Sequence, residues 1–130
     1  MINIYRPPSE SKSEFLKQFE SFLELLFEKS NPNTMLLFLG DYNIVFLGNC
    51  NIASEFSSLL LKHDLIQLVD KPTRESSLLD YMIVNSAFKT HFSIISNKLS
   101  DFQSDHKPQL LRFNGENEKS LTNDVVKIHF

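Results

Sequence analysis

Met35-Leu36-Leu37-Phe38-Leu39-Gly40-Asp41-Tyr42-Asn43 is the stretch on which the fold turns. Its apolar run is too short for a helix and is bounded by Asn33 and Gly40, so it reads as a strand buried on both faces. Gly40 permits a tight exit, and the strand delivers Asp41 to its own end. If the backbone stays extended, alternation points Asp41 and Asn43 the same way and sets a carboxylate beside an amide. A carboxylate can hold a hard cation or orient a water, and an amide can hydrogen-bond a phosphate oxygen. The competing reading is an ordinary turn, since Asp and Asn are abundant in turns.

Working outward, Asn3-Ile4-Tyr5-Arg6-Pro7-Pro8 reads as the end of a short strand, because the prolines lack donors and extend the residue before them. Ser11 and Glu14 form a capping box. Phe15, Leu16, Phe19, Phe22, Leu23 and Leu26 then recur at helical spacing up to a stop near Asn31-Pro32. That aromatic stripe is expected to be core. Downstream of Asn43, Asn51 can cap a second helix to about Lys62, with Ile52, Phe56, Leu59 and Leu60 facing inward. Further strands are expected over Leu65 to Val69, Leu78 to Val84, Phe92 to Ile95 and Pro108 to Phe113, with Lys71-Pro72-Thr73-Arg74 as a loop. After Phe113 the chain is polar and aperiodic, so residues 114–130 are expected to leave the body as a tail, with Val125 to Phe130 able to form a small extra strand. Interleaved strands and helices favour a layered α/β sandwich.

Composition narrows the function. The 130 residues are 42% hydrophobic and 22% charged, as in a globular domain. No apolar run approaches the roughly 18 residues of a membrane span, and Met1 does not open a signal peptide, so an intracellular setting, the nucleus included, is expected. One cysteine, Cys50, excludes an internal disulfide or a zinc ribbon and is expected to be a bystander. A net charge of −3 argues against a broad basic grip on nucleic acid and is compatible with substrate binding through a divalent cation.

Two later motifs could carry chemistry, the competing readings being a solvated loop histidine for His106 and a strand-edge carboxylate in water for Asp80. Ser104-Asp105-His106-Lys107-Pro108 sets an acid beside an imidazole just before a strand, where a loop presents side chains at the mouth of a sheet. His63, His91 and His129 lack comparable surroundings. Leu79-Asp80-Tyr81 interrupts an apolar strand with a carboxylate that requires a partner, and His106 is the expected one.

Tyr5, Gly40-Asp41-Tyr42-Asn43, Thr73-Arg74, Leu79-Asp80-Tyr81 and Ser104-Asp105-His106, in that order, resemble the C-terminal half of the endonuclease/exonuclease/phosphatase superfamily. Ile4-Tyr5-Arg6-Pro7-Pro8 and Pro72-Thr73-Arg74 are most similar to the apurinic-type endonuclease domains of non-LTR retrotransposons. The resemblance implies half of a four-layered α/β sandwich, a mixed sheet with helices on one face, over residues 1–113. It implies metal-dependent phosphodiester hydrolysis of DNA, with magnesium as the ion and manganese as the alternative. Asp41 would orient or deprotonate the attacking water, Asn43 would bind the phosphate, and His106 would stabilise the transition state. Asp105 would take part in metal binding, Asp80 would hold His106, and Tyr5 would hydrogen-bond the phosphate or leaving group.

The family's metal-binding Glu lies in a first half that has no counterpart before Tyr5, and Glu10, Glu14, Glu20, Glu24 and Glu28 fall in or beside the first helix. Impaired catalysis is therefore expected, with an uncovered apolar sheet face that calls for a complementing N-terminal half or a dimer partner. The alternative is a catalytically dead remnant, at most an interaction module using that face or the Phe15, Phe19 and Phe22 stripe. A phosphatase or phospholipid phosphodiesterase on the same scaffold ranks below both.

Overall fold

The computed structural model describes residues 1–46, 51–95, 104–114 and 126–129, the last four by their backbone alone. Cys50 and residues 115–125 lie outside the described residues.

The decisive apolar run forms β2 (Leu37–Asp41), and the segment before the prolines forms β1 (Ile2–Tyr5). Between them, α1 (Lys12–Lys29) starts at Ser11, whose hydroxyl accepts the Glu14 N–H at 3.3 Å. α2 (Asn51–Lys62), β3 (Leu65–Gln67) and β4 (Asp80–Asn85) follow. A 3₁₀ turn (Ser86–His91) leads to β5 (Phe92–Ile95), β6 (Leu110–Phe113) and β7 (Val126–His129). A mixed five-stranded sheet runs β3-β4-β2-β1-β7, and β5 and β6 form a separate antiparallel pair. β1 runs parallel to β2 and β7, whereas β4 runs antiparallel to β2 and β3.

The aromatic stripe is core. Phe15, Phe19, Phe38, Tyr42, Phe56 and Tyr81 are all buried, and Phe19 meets Phe38 of the sheet edge-on at 6.1 Å and Phe56 of α2 at 5.9 Å. Both helices thus seal the sheet face that carries Phe38. Burial of Phe15 and Phe19 removes the stripe as a docking surface, because neither ring is available to a partner.

Two expectations are corrected here. β2 is not buried on both faces: Phe38 is fully buried, while Leu37 and Leu39 are only half-buried, as is Met82 opposite Leu39 on β4. Among the described residues neither α-helix is seen to pack on that second face, where cover is uneven, Val84 opposite Leu37 being fully buried, so a continuous apolar run marked apolar content rather than full cover on both sides. Nor is the whole of 114–130 a tail. Val126–His129 returns to pair with β1, the extra strand expected over Val125 to Phe130, and satisfies backbone groups that β1 would otherwise expose at an edge.

Gly40 is where β1 and β2 come closest. It sits at φ 146 opposite Ile4, and a Cβ built on it would lie 1.7 Å from the Ile4 carbonyl oxygen. Neither the conformation nor the backbone contact can relax without shifting the strand pair. Gly40→Ala is therefore expected to cost at least about 3 kcal/mol in urea unfolding. Leu61→Ala, at a position 75% exposed, should stay within about 0.5 kcal/mol of the native chain.

Candidate active site

Asp41 ends β2 and Asp80 begins β4, and the antiparallel register sets them directly opposite each other. Both side chains are about three-quarters buried, at 22% and 29% exposed. Facing carboxylates repel, so the pair needs a cationic group or an ion. His106 supplies the first: its Nδ1 lies 2.8 Å from Asp80 Oδ2, and its Nε2 lies 4.0 Å from Asp41 Oδ2. Ligand atoms of Asp41, Asp80 and His106 all fall within 4.8 Å of one another, close enough to hold a metal ion.

Electrostatics follow from that geometry. The Asp80 hydrogen bond raises the His106 pKa above its ordinary value, with further help from the charges of Asp80, Asp41 and Asp105, while burial pulls the other way. Burial raises the Asp41 pKa, and Asp80 adds to the rise, against the Asn43 N–H and His106, which favour the carboxylate.

His106 lies far from both strands in sequence and is brought in by backbone. Arg74 makes a β-bridge with His106, and the Lys107 N–H donates to the Thr73 carbonyl. Thr73 is fully buried, and its Oγ1 accepts the N–H groups of Leu79 and Asp80, each at 3.1 Å. One threonine therefore ties the start of β4 to the segment that carries His106. Asp105 is not in the cluster. Its carboxylate lies 2.7 Å from Arg74 Nη2, on an exposed ion pair, because neighbours on an extended chain point to opposite sides.

The Asp41-Tyr42-Asn43 geometry departs from the extended alternation expected for it. Asn43 takes φ 49, and its N–H donates to Asp41 Oδ1 at 3.0 Å, so the chain turns here. The Asn43 Nδ2 donates to the Arg6 carbonyl at 2.8 Å, and the Asn43 side chain also favours the Asp41 carboxylate by hydrogen bonding. The turn reading and the site reading are thus compatible. Tyr5 is 45% exposed and stands in register with Asp41 on the neighbouring strand. Beneath the turn, Tyr42 stacks on Tyr81 at 4.6 Å, and the Tyr81 hydroxyl donates to the Ile44 carbonyl.

Arg6 and Thr73 entered the sequence reading only as parts of motifs. A signal for Arg6 was present: Ile2, Ile4 and Arg6 share one strand phase, and all three are buried. Thr73 had none, since its two donors come from residues that only the fold brings near.

A cleft of about 260 Å³ opens beside the cluster, lined by Asp41, Asp80, His106, Pro108 and Gln109 among others. Such a cleft, with acids and an imidazole at one end of a mixed α/β sheet, makes this cluster the candidate active site. The chain belongs to the endonuclease-reverse transcriptase family, whose model matches residues 1–110. The solved endonuclease domain of TRAS1, a telomere-specific non-LTR retrotransposon, has a similar fold, with a TM-score of 0.64 over 88% of this chain at 15% identity. This chain spans 56% of that one, so the shared architecture is about half of an apurinic-type endonuclease fold. No curated protein matches the sequence.

Raising of the His106 pKa by Asp80 has a direct test. Asp80→Asn should lower the titration midpoint of the His106 ring protons in NMR towards the ordinary histidine value. In the native chain the pair's stabilisation is full below that ordinary value and is lost as pH rises through the raised one.

Proposed function

We propose that this chain carries the hydrolytic half of a retrotransposon-type DNA endonuclease, acting on phosphodiesters with magnesium, or manganese in its place. The observation that supports this most is the Asp41, Asp80 and His106 cluster at the sheet end, in a member of an endonuclease family. A divalent cation fits the donor set, because two carboxylates forced together across a strand pair are relieved by positive charge. Asp41 and Asp80 are the residues placed to hold it. Asp105, paired with Arg74, contributes as a nearby charge. When bound, the ion supplies positive charge to the phosphate oxygens.

The remaining roles are those of this chain's own groups. Asp41, with its raised pKa, orients the attacking water and accepts its proton. His106, held by Asp80 through Nδ1, presents Nε2 as a donor to the charge that develops on phosphorus oxygens, and its raised pKa favours the protonated form. Asn43, beside the Asp41 carboxylate, hydrogen-bonds a phosphate oxygen through its side-chain amide, and Tyr5 hydrogen-bonds the phosphate or leaving group from the next strand.

The unit is residues 1–113 with β7 added beside β1, and catalysis by it alone is impaired. The half-buried face of Leu37, Leu39 and Met82 is the seat of the complement, an N-terminal half of the same fold or a second copy. No helix among the described residues is long and apolar enough to cross a membrane, and the proposed DNA substrate supports an intracellular setting, the nucleus included.

Incubation of the purified chain with supercoiled plasmid and magnesium should give slow nicking. Removal of the metal with EDTA should abolish it, and His106→Ala should lower it by roughly 10² to 10³-fold. A folded chain that never nicks, with or without an added N-terminal half, refutes hydrolysis and leaves a catalytically dead remnant or interaction module.

A further inference from the structure

One residue touches every member of the acidic turn. The Arg6 N–H donates to the Asp41 carbonyl at 2.9 Å, and the Arg6 carbonyl accepts Asn43 Nδ2. Its guanidinium continues the pattern: Nε donates to the Tyr42 carbonyl at 2.7 Å, and Nη2 donates to the Asn43 carbonyl at 2.7 Å. Nη1 donates to the carbonyls of Pro7 and Glu10, which fixes the chain between β1 and α1.

Arg6 is 1% exposed, and no carboxylate among the described residues lies within ion-pair distance of it. Burying a guanidinium is costly, and a residue serving only to fill space would be apolar. What the planar fork adds is a set of N–H groups aimed at the carbonyls of two successive residues, an arrangement a lysine ammonium cannot reproduce. Those residues are Tyr42 and Asn43, and Asn43 sits at φ 49, a conformation that persists where its surroundings hold it.

We propose that Arg6 is a positioning residue for hydrolysis: it holds the Asp41-Tyr42-Asn43 turn so that the Asp41 carboxylate faces His106 and the Asn43 side chain stays beside that carboxylate. This rests on the roles given above to Asp41, Asn43 and His106.

The experiment has two arms on the full chain. In the first, NMR hydrogen exchange on the native protein should show the Asn43 side-chain amide and the Arg6 Nε–H protected at least about tenfold relative to the exposed Asn33 side chain. Arg6→Lys should remove the Asn43 protection while far-ultraviolet circular dichroism stays native. In the second, nicking by Arg6→Lys should show kcat lower by about 100-fold with KM within about twofold, the signature of misplaced groups rather than lost substrate affinity. Free exchange at Asn43 in the native chain, or an Arg6→Lys variant with native kcat, overturns the proposal. If Arg6→Lys does not fold, exchange in the native chain decides. If the native chain never nicks, the hydrolytic reading fails separately, and the exchange arm still decides whether Arg6 holds the turn.

Discussion

Two carboxylates face each other across the β2–β4 register, and the rest of the site is arranged around their mutual repulsion. Asp41 and Asp80 are brought together by backbone hydrogen bonds that neither side chain can refuse. The cost is offset locally by His106, which lies against both. Burial, with the charge of Asp80 adding to it, leaves Asp41 more basic than a solvated aspartate, and the Asp80 hydrogen bond leaves His106 more readily protonated than a solvated histidine. Such electrostatic tension, a defect in a purely structural sheet, is what the hydrolytic role proposed above would use.

That tension is tolerable because its supports are stiff. Below the turn, Tyr42, Tyr81, Phe56 and Phe19 form a continuous aromatic floor. Close-packed rings resist displacement, so the ends of β2 and β4 cannot slide apart to separate the charges. Gly40 lets β1 approach β2, Thr73 joins β4 to the His106 segment, and Arg6 binds the exit of β2. None of the three belongs to the Asp41, Asp80 and His106 cluster, and each ties together elements that carry it.

The two faces of the main sheet differ in the same spirit. Helices seal one with aromatic side chains, whereas Leu37, Leu39 and Met82 on the other are only half covered. Asp41 and Asp80 share the phase of that second face, Asp41 with Leu37 and Leu39, Asp80 with Met82. The site therefore lies at the rim of the apolar surface that a complementing half would cover, and closure of that surface would also exclude water from the cluster.

Much of this was legible in the chain itself. The capping box at Ser11 and Glu14, the helical spacing of Phe15 and Phe19, and the apolar run before Gly40 identify α1 and β2 through local propensity and periodicity. The motifs at Asp41, Asp80 and His106 single out three residues that the fold then brings together. Periodicity could not show that one face of β2 is only partly covered, since an apolar residue looks alike whether or not a neighbour packs on it. Nor could it show that Asn43 turns left-handed or that Asp105 pairs with Arg74 while its neighbour joins the cluster. Those outcomes depend on register and on hydrogen bonds between residues 26 to 37 positions apart. Such bonds form only when the sheet closes, and local sequence does not encode distance in space.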